Sequence, residues 1–239
     1  MKSSSLFMSA KASFGLLSGI GLFVLALPLA AAEVNDDFSI SDVRPHGTLL
    51  NEKSTPGGES KWMASPNLLF VKSPEGGVVT NANASIFFAR TAVPEVRQTL
   101  EVSAELRPTM AANKDGWVAL GFGANPDDFK FTWTDGVFIL LTPAGGYQVM
   151  ANYQGAFPET IDVRKGTVAP FSTEKFTKIK LVYEKGSNRL SVLINGTVVV
   201  DRYDFSNRDF YPVLSAAGFS GFGQKDRTFS IRNFEIGAK

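Results

Sequence analysis

The sequence predicts an all-β fold, a two-sheet antiparallel jelly-roll sandwich preceded by a signal peptide. Apolar and polar residues alternate with period two over short runs, which is typical of strands with one buried and one wet face. Clusters of Gly, Pro, Asn and Asp separate these runs, and helical periodicity is nearly absent. Strands at this spacing, about a dozen of them, suit a single sandwich domain.

Residues 1–32 have the order of a secretory signal peptide. The first eleven residues carry two lysines and no acid, roughly 16 apolar or small residues follow, and Ala30–Ala32 ends the segment. The apolar run is shorter than the ~20 residues that span a bilayer. We therefore expect cleavage before Glu33, a mature domain over residues 33–239, and a secreted location, periplasmic or extracellular, with no membrane span after cleavage.

The composition excludes several classes of function. The chain has no Cys and one His, which removes disulfides, Cys-based metal sites, Cys nucleophiles and multi-His zinc sites. Loss of residues 1–32 leaves 22 basic and 23 acidic side chains, a net charge of −1. This balance provides no basic surface for nucleic acid, so no nucleic-acid partner is expected.

The mature chain opens with a loop-rich segment, residues 33–60, in which Pro, Gly, Ser and Asn outnumber apolar residues over 44–60. Period-two runs follow. The predicted strands are Gly77–Thr80, Ser85–Ala89, Leu100–Leu106, Trp117–Phe122, Phe129–Thr134, Val137–Leu141, Tyr147–Tyr153, Ile179–Tyr183, Leu190–Ile194, Thr197–Tyr203, Leu214–Phe219 and Thr228–Ile236.

Two dipeptides predict hairpin turns. Asn195-Gly196 lies between β-branched runs, and both residues tolerate the positive φ that a type I′ turn requires. Asp135-Gly136 is a second candidate, between Phe129–Thr134 and Val137–Leu141. Trp117–Phe122 and Val137–Leu141 are apolar on both faces, which places them in the middle of a covered sheet.

The mature chain resembles the concanavalin A-like lectin/glucanase superfamily, which includes laminin G-like modules. The hairpin within Ile179–Val200, the Gly-Phe-Ser run within Ala217–Gly223, and the pair formed by Asp36–Phe38 and Phe229–Ile236 carry the resemblance. It implies a two-sheet jelly roll, with first and last strands close together, whose concave face and rim loops often bind glycans. The Glu-x-Asp-x-x-Glu string of the glucanases and the metal-site strand of the legume lectins are missing.

Two sets of residues were weighed for catalysis. Glu101 and Glu105 share one strand face, about 13 Å apart along the backbone, whereas glycosidase carboxyls need about 5–9.5 Å. Glu101 and Glu105 are therefore better explained as solvent-exposed residues on the outer face of a strand than as a catalytic pair. His46 lies in the loop-rich segment, and no Gly-x-Ser-x-Gly elbow accompanies it. No catalytic residue is assigned, so enzymatic activity is left open with a preference against it.

Carboxylates mark two places where calcium could bind. One is the acidic loop 125–128 with Asp135, and the other is Asp36 with Asp37. Turn formation explains the same residues. No cofactor and no metal ligand is assigned, and a structural calcium ion stays an open alternative.

Aromatic residues give the best candidate for a binding site. Phe129, Phe131 and Trp133 share one strand face, and a later strand carries Asn152, Tyr153 and Gln154. Aromatic planes stack on the C–H face of a sugar, and amides both donate to and accept from its hydroxyls. The candidate ligand-binding residues are Trp133, Asn152, Tyr153 and Gln154. Core packing for Trp133 and solvated strand positions for the amides are the alternatives, and Trp62 and Trp117 are expected in the core.

These observations favour an exported, non-catalytic β-sandwich that binds a glycan or another extracellular polymer. Two alternatives stay open: a carbohydrate-active enzyme, hydrolase or lyase, of an unrecognised branch, and a purely structural or adhesive module. An acid pair in a cleft would favour the enzyme. A face lined by aromatics and amides would favour binding.

Overall fold

The computed structural model describes residues 34–56, 60–66, 68–70, 77–80, 86–108, 116–124, 133–154, 158–222 and 229–239. The expected signal peptide, the acidic loop 125–128 and the stripe residues Phe129 and Phe131 lie outside these ranges. Within them, the opening segment contains turns and isolated bridges, such as Ser41 with Arg44, and buries Leu50.

The described residues form fifteen β-strands and one short 3-10 helix, Ser206–Arg208. In chain order the strands are β1 Val34–Asp36, β2 Met63–Ala64, β3 Leu68–Phe70, β4 Val78–Thr80, β5 Ile86–Ala92, β6 Thr99–Pro108, β7 Trp117–Ala124, β8 Thr134–Leu141, β9 Gly146–Gln154, β10 Pro158–Thr167, β11 Thr177–Glu184, β12 Arg189–Ile194, β13 Thr197–Asp204, β14 Ala216–Phe222 and β15 Phe229–Ala238.

The strands form two antiparallel sheets, which confirms the predicted all-β sandwich. The eight-stranded sheet has the order β13-β12-β11-β6-β15-β4-β3, and β1 pairs with the remaining length of β15. The seven-stranded sheet has the order β10-β9-β8-β7-β14-β5-β2. First and last strands are therefore neighbours, as expected. Within the described ranges, no helix is long and apolar enough to cross a membrane.

The main core lies between the two sheets. Alternate residues of β6 and β11, including Val102 and Leu181, point into it from the eight-stranded sheet. Leu120 and Ile139 point into it from the seven-stranded sheet. Packed aromatic rings fill one end, with centroids 5.0 to 6.4 Å apart: Phe38, Trp62, Phe70, Phe219 and Phe234. The expectation for Trp62 is thus confirmed.

A buried carboxylate fastens the first strand to this core. Asp36 is fully buried, and its Oδ1 accepts a bond of 2.6 Å from Arg44 Nη1. Its Oδ2 accepts one of 2.8 Å from Trp62 Nε1, and the Phe38 backbone N–H donates to Oδ1. Arg44 also donates to the Ser54 carbonyl. The charge of Asp36 is therefore paired and fully hydrogen-bonded, the condition under which a buried charge is tolerated.

The two strands that are apolar on both faces occupy the middle of the seven-stranded sheet, as predicted. The second hairpin prediction is wrong, because Asp135 and Gly136 lie within β8. Asp135 has φ 43°, and the β7–β8 pairing shifts register at this point, between Phe122 and Ala124. A Cβ on Gly136 would lie 2.4 Å from the Phe122 carbonyl oxygen. The glycine therefore permits close strand approach at a bulge rather than a reversal of the chain.

The Asn195-Gly196 turn is confirmed. Both residues have positive φ, 49° and 79°, and they connect β12 to β13 with Ile194 opposite Thr197. No heavy atom lies within 4 Å of the position that a Cβ on Gly196 would take. The glycine is therefore required by backbone conformation and not by space.

Replacement of Gly196 by valine is expected to lower the free energy of unfolding by about 1–3 kcal/mol, since it forces a β-branched residue to positive φ. Chemical denaturation measures the change. Gly186→Val is the matched control, because Gly186 also has open space around it but lacks a positive φ. Equal midpoints for the two variants would show that the turn does not hold this conformation.

Candidate functional site

The seven-stranded sheet carries a cavity on its outer face, the side turned away from the eight-stranded sheet. Strand alternation points one set of residues into the core and the other set outward, and several outward residues are apolar. The cavity has a volume of about 270 Å³. We call it the outer-face cavity, and it is lined by Trp117, Ala119, Phe138, Leu140, Met150, Asn152, Thr160 and Ser220.

Small residues on β7 make room for this cavity and for a second apolar cluster beside it. Ala119, Phe138 and Trp133 are buried there, with Trp117 and Met150 packed against them. A Cβ on Gly121 would lie 2.6 Å from Phe138 Cβ and 2.8 Å from Trp133 Nε1. The glycine therefore lets the indole lie directly against the sheet.

Trp133 packs on the outer face beside the cavity and presents no open aromatic plane. Only 1% of the residue is exposed, and the Arg90 guanidinium carbon lies 4.3 Å from the ring centroid. Stacking of this kind is favourable when both groups are desolvated. Its Nε1 has no hydrogen-bond partner among the described residues. The burial of Trp133 favours the core alternative over direct stacking with a sugar.

Asn152 is the candidate residue that lines the cavity. It pairs with Thr160 across β9 and β10, and the Thr160 hydroxyl donates to Asn152 Oδ1 over 3.0 Å. This bond fixes the orientation of the amide. With the oxygen accepting from Thr160, the two N–H donors of the amide are left for other partners.

Tyr153 and Gln154 are placed differently from Asn152. Tyr153 is the next residue along β9, so its side chain points to the opposite face. It is 46% exposed and its ring packs edge-on against Phe210, with centroids 6.4 Å apart. Gln154 pairs with Pro158, and its side chain is not among those described. The structure thus brings Trp133 and Asn152 to one face and Tyr153 to the other.

The sequence did not indicate the rest of the lining. Trp117, expected in the core, is half-buried and lines the cavity instead. Ser220 lies on β14 opposite Ala119 and is fully buried, and its hydroxyl has no hydrogen-bond partner among the described residues. The other lining residues that sequence reasoning did not place in a site are Ala119, Phe138, Leu140, Met150 and Thr160. An unpartnered buried hydroxyl is costly unless something else bonds to it.

One charged pair of this sheet, formed by Asp162 and Lys165, lies outside the cavity lining. Asp162 accepts hydrogen bonds from Lys165 Nζ (2.9 Å) and Gln148 Nε2 (2.6 Å). The bond from Lys165, followed by that from Gln148, lowers the pKa of Asp162 below its ordinary value. This carboxyl therefore stays ionised at neutral pH and does not suit the role of a general acid, which needs a raised pKa.

Glu101 and Glu105 lie on the outer face of the eight-stranded sheet, at a different surface from the cavity. Glu101 pairs with Lys180 (2.6 Å), and Glu105 accepts a bond from Arg232 Nε (2.7 Å). Each carboxylate is thus engaged by its own cation. His46 is exposed on the opening segment, as the sequence indicated.

The structure describes one of the two candidate calcium sites, Asp36 with Asp37, and leaves most of the other outside the described residues. The Asp36 carboxylate is buried and already accepts hydrogen bonds from Arg44 and Trp62, so its charge is paired within the protein. Asp37 caps a turn by accepting from the Ser39 backbone N–H. Loop 125–128 lies outside the described residues. Among the residues inside those ranges, no group of three or more His, Asp or Glu side chains is positioned to hold one metal ion.

Two further depressions lie away from the outer-face cavity. A polar crevice of about 900 Å³ runs between the opening segment and β15, and Asp37, Arg44 and Glu235 are among its lining residues. A crevice of about 450 Å³ lies where Val96, Tyr183 and Tyr211 meet. Burial raises the pKa of the Tyr183 phenol to about 12. The first has no aromatic floor, and the phenol of the second already donates to Asn188.

No protein-family model matches the chain, and no curated protein sequence matches it. Solved structures do match in fold. The potassium-bound carbohydrate recognition domain of Emp46p is similar with a TM-score of 0.57 at 12% identity, over 85% of this chain and 98% of that one. The carbohydrate recognition domain of Emp47p is similar with a TM-score of 0.53 at 11% identity, over 83% and 96%.

An enzyme shares the same architecture. A glycoside hydrolase family 16 endo-glucanase from Bacteroides ovatus is similar with a TM-score of 0.56 at 12% identity, over 84% of this chain and 98% of that one. The chain therefore has the concanavalin A-like lectin/glucanase jelly-roll fold, which confirms the resemblance seen in the sequence. Identities this low establish the fold and leave function to the site.

Proposed function

We propose that the protein is an exported, non-catalytic module that binds a neutral carbohydrate at the outer-face cavity. The observation that carries the proposal is the lining, which combines aromatic and aliphatic side chains with an amide and two hydroxyls. Small-molecule sites in general combine an apolar wall with a few placed polar groups. The expected net charge of −1 after cleavage before Glu33 favours neutral glycans over polyanions.

The chemistry of the lining suits a sugar. Trp117 and Phe138 offer apolar ring surfaces to C–H groups, while Asn152 offers two N–H donors. Ser220 adds a hydroxyl that has no partner within the described part of the chain. A saccharide hydroxyl that bonds to Ser220 would remove the cost of that unpartnered group.

The four residues predicted from the sequence do not share one role in this proposal. Asn152 contacts the ligand directly. Trp133 packs on the same face beside the cavity, next to Gly121 and Phe138, and supports the lining without contacting the ligand. Tyr153 points to the other face of the sheet and has no part in the proposed site, and Gln154 is given no role.

The described lining supports binding without catalysis. It contains no Asp, Glu, His, Lys or Arg, whereas acid–base catalysis requires a titratable group within reach of the reacting atoms. The lectin domains and the endo-glucanase named above share this fold, so the fold itself does not decide between binding and hydrolysis. An enzyme and an adhesive module therefore enter the test as alternative outcomes.

A glycan array with and without EDTA, followed by titration calorimetry on the best ligand, tests the proposal. Asn152→Ala is expected to weaken binding about two- to tenfold, since it removes a hydrogen bond worth about 0.5–1.5 kcal/mol. Gln148→Ala is the matched control, on the same strand about 13 Å away and outside the lining. Its affinity should equal that of the parent.

Three outcomes would contradict the proposal. Absence of binding to any glycan would favour an adhesive or structural module. Release of shortened products from the bound glycan, abolished by Glu101→Gln in a folded protein, would establish an enzyme. Equal weakening by Asn152→Ala and Gln148→Ala would place the site elsewhere on the sheet.

A further inference from the structure

Polar and apolar groups occupy different parts of the outer-face cavity. Register-paired residues point to the same side of a sheet, so the lining follows the strand order across the face. Thr160 on β10 and Asn152 on β9 stand at one side, and Ser220 on β14 stands at the other. Between them Leu140 on β8 lies opposite Ala119 on β7, which in turn lies opposite Ser220.

The middle of the cavity is apolar. Leu140, Phe138, Met150 and Ala119 surround it with carbon and sulfur atoms. The backbone groups of β7 and β8 are committed to the sheet, since both strands have hydrogen-bonded neighbours on each side. A ligand hydroxyl placed here would lose its hydrogen bonds to water and gain none from these four side chains, which costs free energy.

The volume limits what fills this space. About 270 Å³ is just below the range of about 300–1,000 Å³ typical of pockets that enclose drug-sized ligands. The cavity therefore suits the end of a glycan rather than an internal stretch. A terminal sugar in this space would meet the apolar middle with one exocyclic group, and the polar sides with its ring hydroxyls.

We propose that the outer-face cavity selects a terminal sugar that bears a methyl group, with the methyl seated among Leu140, Phe138 and Met150. The inference rests on the proposed function and names the ligand class of that site. Asn152, Thr160 and Ser220 would bond to hydroxyls at the polar sides. Two kinds of sugar supply such a methyl, a 6-deoxyhexose and an N-acetylhexosamine, and the experiment separates them.

Titration calorimetry of the full mature chain with two matched pairs of sugars is the test. L-fucose is compared with L-galactose, which carries hydroxymethyl in place of methyl, and N-acetylglucosamine is compared with N-formylglucosamine, which keeps the amide and lacks the methyl. We expect the methyl-bearing member of at least one pair to bind about tenfold more tightly or better, the discrimination that one small apolar group achieves in an apolar pocket. The pair that shows the preference identifies the source of the methyl.

Leu140→Asn locates the preference, because it places an amide in the apolar middle and should reduce the ratio within the preferred pair to about 1. Leu193→Asn is the matched control, a half-buried leucine on the outer face of the other sheet, and should keep the parent ratio. Met150→Gln is a second variant for the same test should thermal melting show that Leu140→Asn is unfolded.

The failures of the two proposals are distinguishable. If neither pair shows a preference, so that L-galactose and N-formylglucosamine each bind as tightly as their partners, the methyl inference is overturned and carbohydrate binding is left standing. If other glycans of the array bind and neither pair of sugars binds, the methyl inference is likewise overturned, and carbohydrate binding is again left standing. Absence of binding to every glycan overturns the proposed function itself. A preference that survives both Leu140→Asn and Met150→Gln overturns the placement of the methyl group.

Discussion

Replacement of Trp133 by alanine is expected to lower the free energy of unfolding by about 3–5 kcal/mol, the usual cost of deleting a buried tryptophan side chain. The indole is almost fully buried against Ala119 and Phe138, and the Arg90 guanidinium covers its ring. Removal of the ring would leave a void over Gly121. Urea denaturation of the mature protein, with the midpoint and slope both fitted, measures the loss.

Trp117→Ala is the matched comparison, because Trp117 is the half-buried tryptophan of the cavity lining. It should weaken glycan binding at a smaller cost in stability. Trp133→Phe should recover part of the loss, since the missing N–H has no partner among the described residues. If Trp133→Ala abolishes binding with an unchanged midpoint, the indole is a ligand-stacking plane, and the core assignment is wrong.

Replacement of Asp36 by alanine is expected to cost a similar amount, about 3–5 kcal/mol, because it breaks a buried ion pair from one side. Arg44 would keep its charge in a buried position without the carboxylate that accepts its 2.6 Å bond. Trp62 Nε1 would lose its acceptor as well. Thermal and urea unfolding both report this loss.

Asp37→Ala controls for the change of charge and composition at the adjacent position. The Asp37 side chain is exposed and accepts a single bond from the Ser39 backbone N–H, so its removal should cost no more than about 1 kcal/mol. A double variant, Asp36→Ala with Arg44→Met, should regain stability over Asp36→Ala alone, since it removes the unpaired charge. Equal stability of the two single variants would mean that the first strand is not fastened through this carboxylate.

The sheets were predictable where one face of a strand is buried and the other is wet. β6 and β12 show this alternation in sequence and in burial alike. β10 was not predicted, because it is an edge strand with one neighbour and Ile161 as its buried apolar residue. Its Pro158 and charged residues are typical of protected edges and resemble a loop in the sequence.

The site was harder to predict because its strands are apolar on both sides. Alternation within Trp117–Ala124 separates two faces but does not tell which one packs against the other sheet. The sequence pattern therefore predicts Trp117 in the core and makes Trp133 a candidate surface plane, whereas Trp117 lines the cavity and Trp133 is buried. Parity does separate Asn152 from Tyr153, and the structure places them on opposite faces accordingly. The contribution of Ser220 depends on strand order, which a single sequence does not contain.

Two of the residues that line the outer-face cavity are small, Ala119 and Ser220, and they are paired directly on the neighbouring strands β7 and β14. The neighbouring glycines cannot change, because a Cβ on Gly218 would lie 2.0 Å from the Ala89 carbonyl oxygen. Larger side chains at Ala119 or Ser220 would therefore make the cavity shallower, whereas Gly218 has no room for a side chain. Substitutions at these two positions, whether natural or engineered, would change the size of the cavity while leaving the strand pairing of the sheet intact.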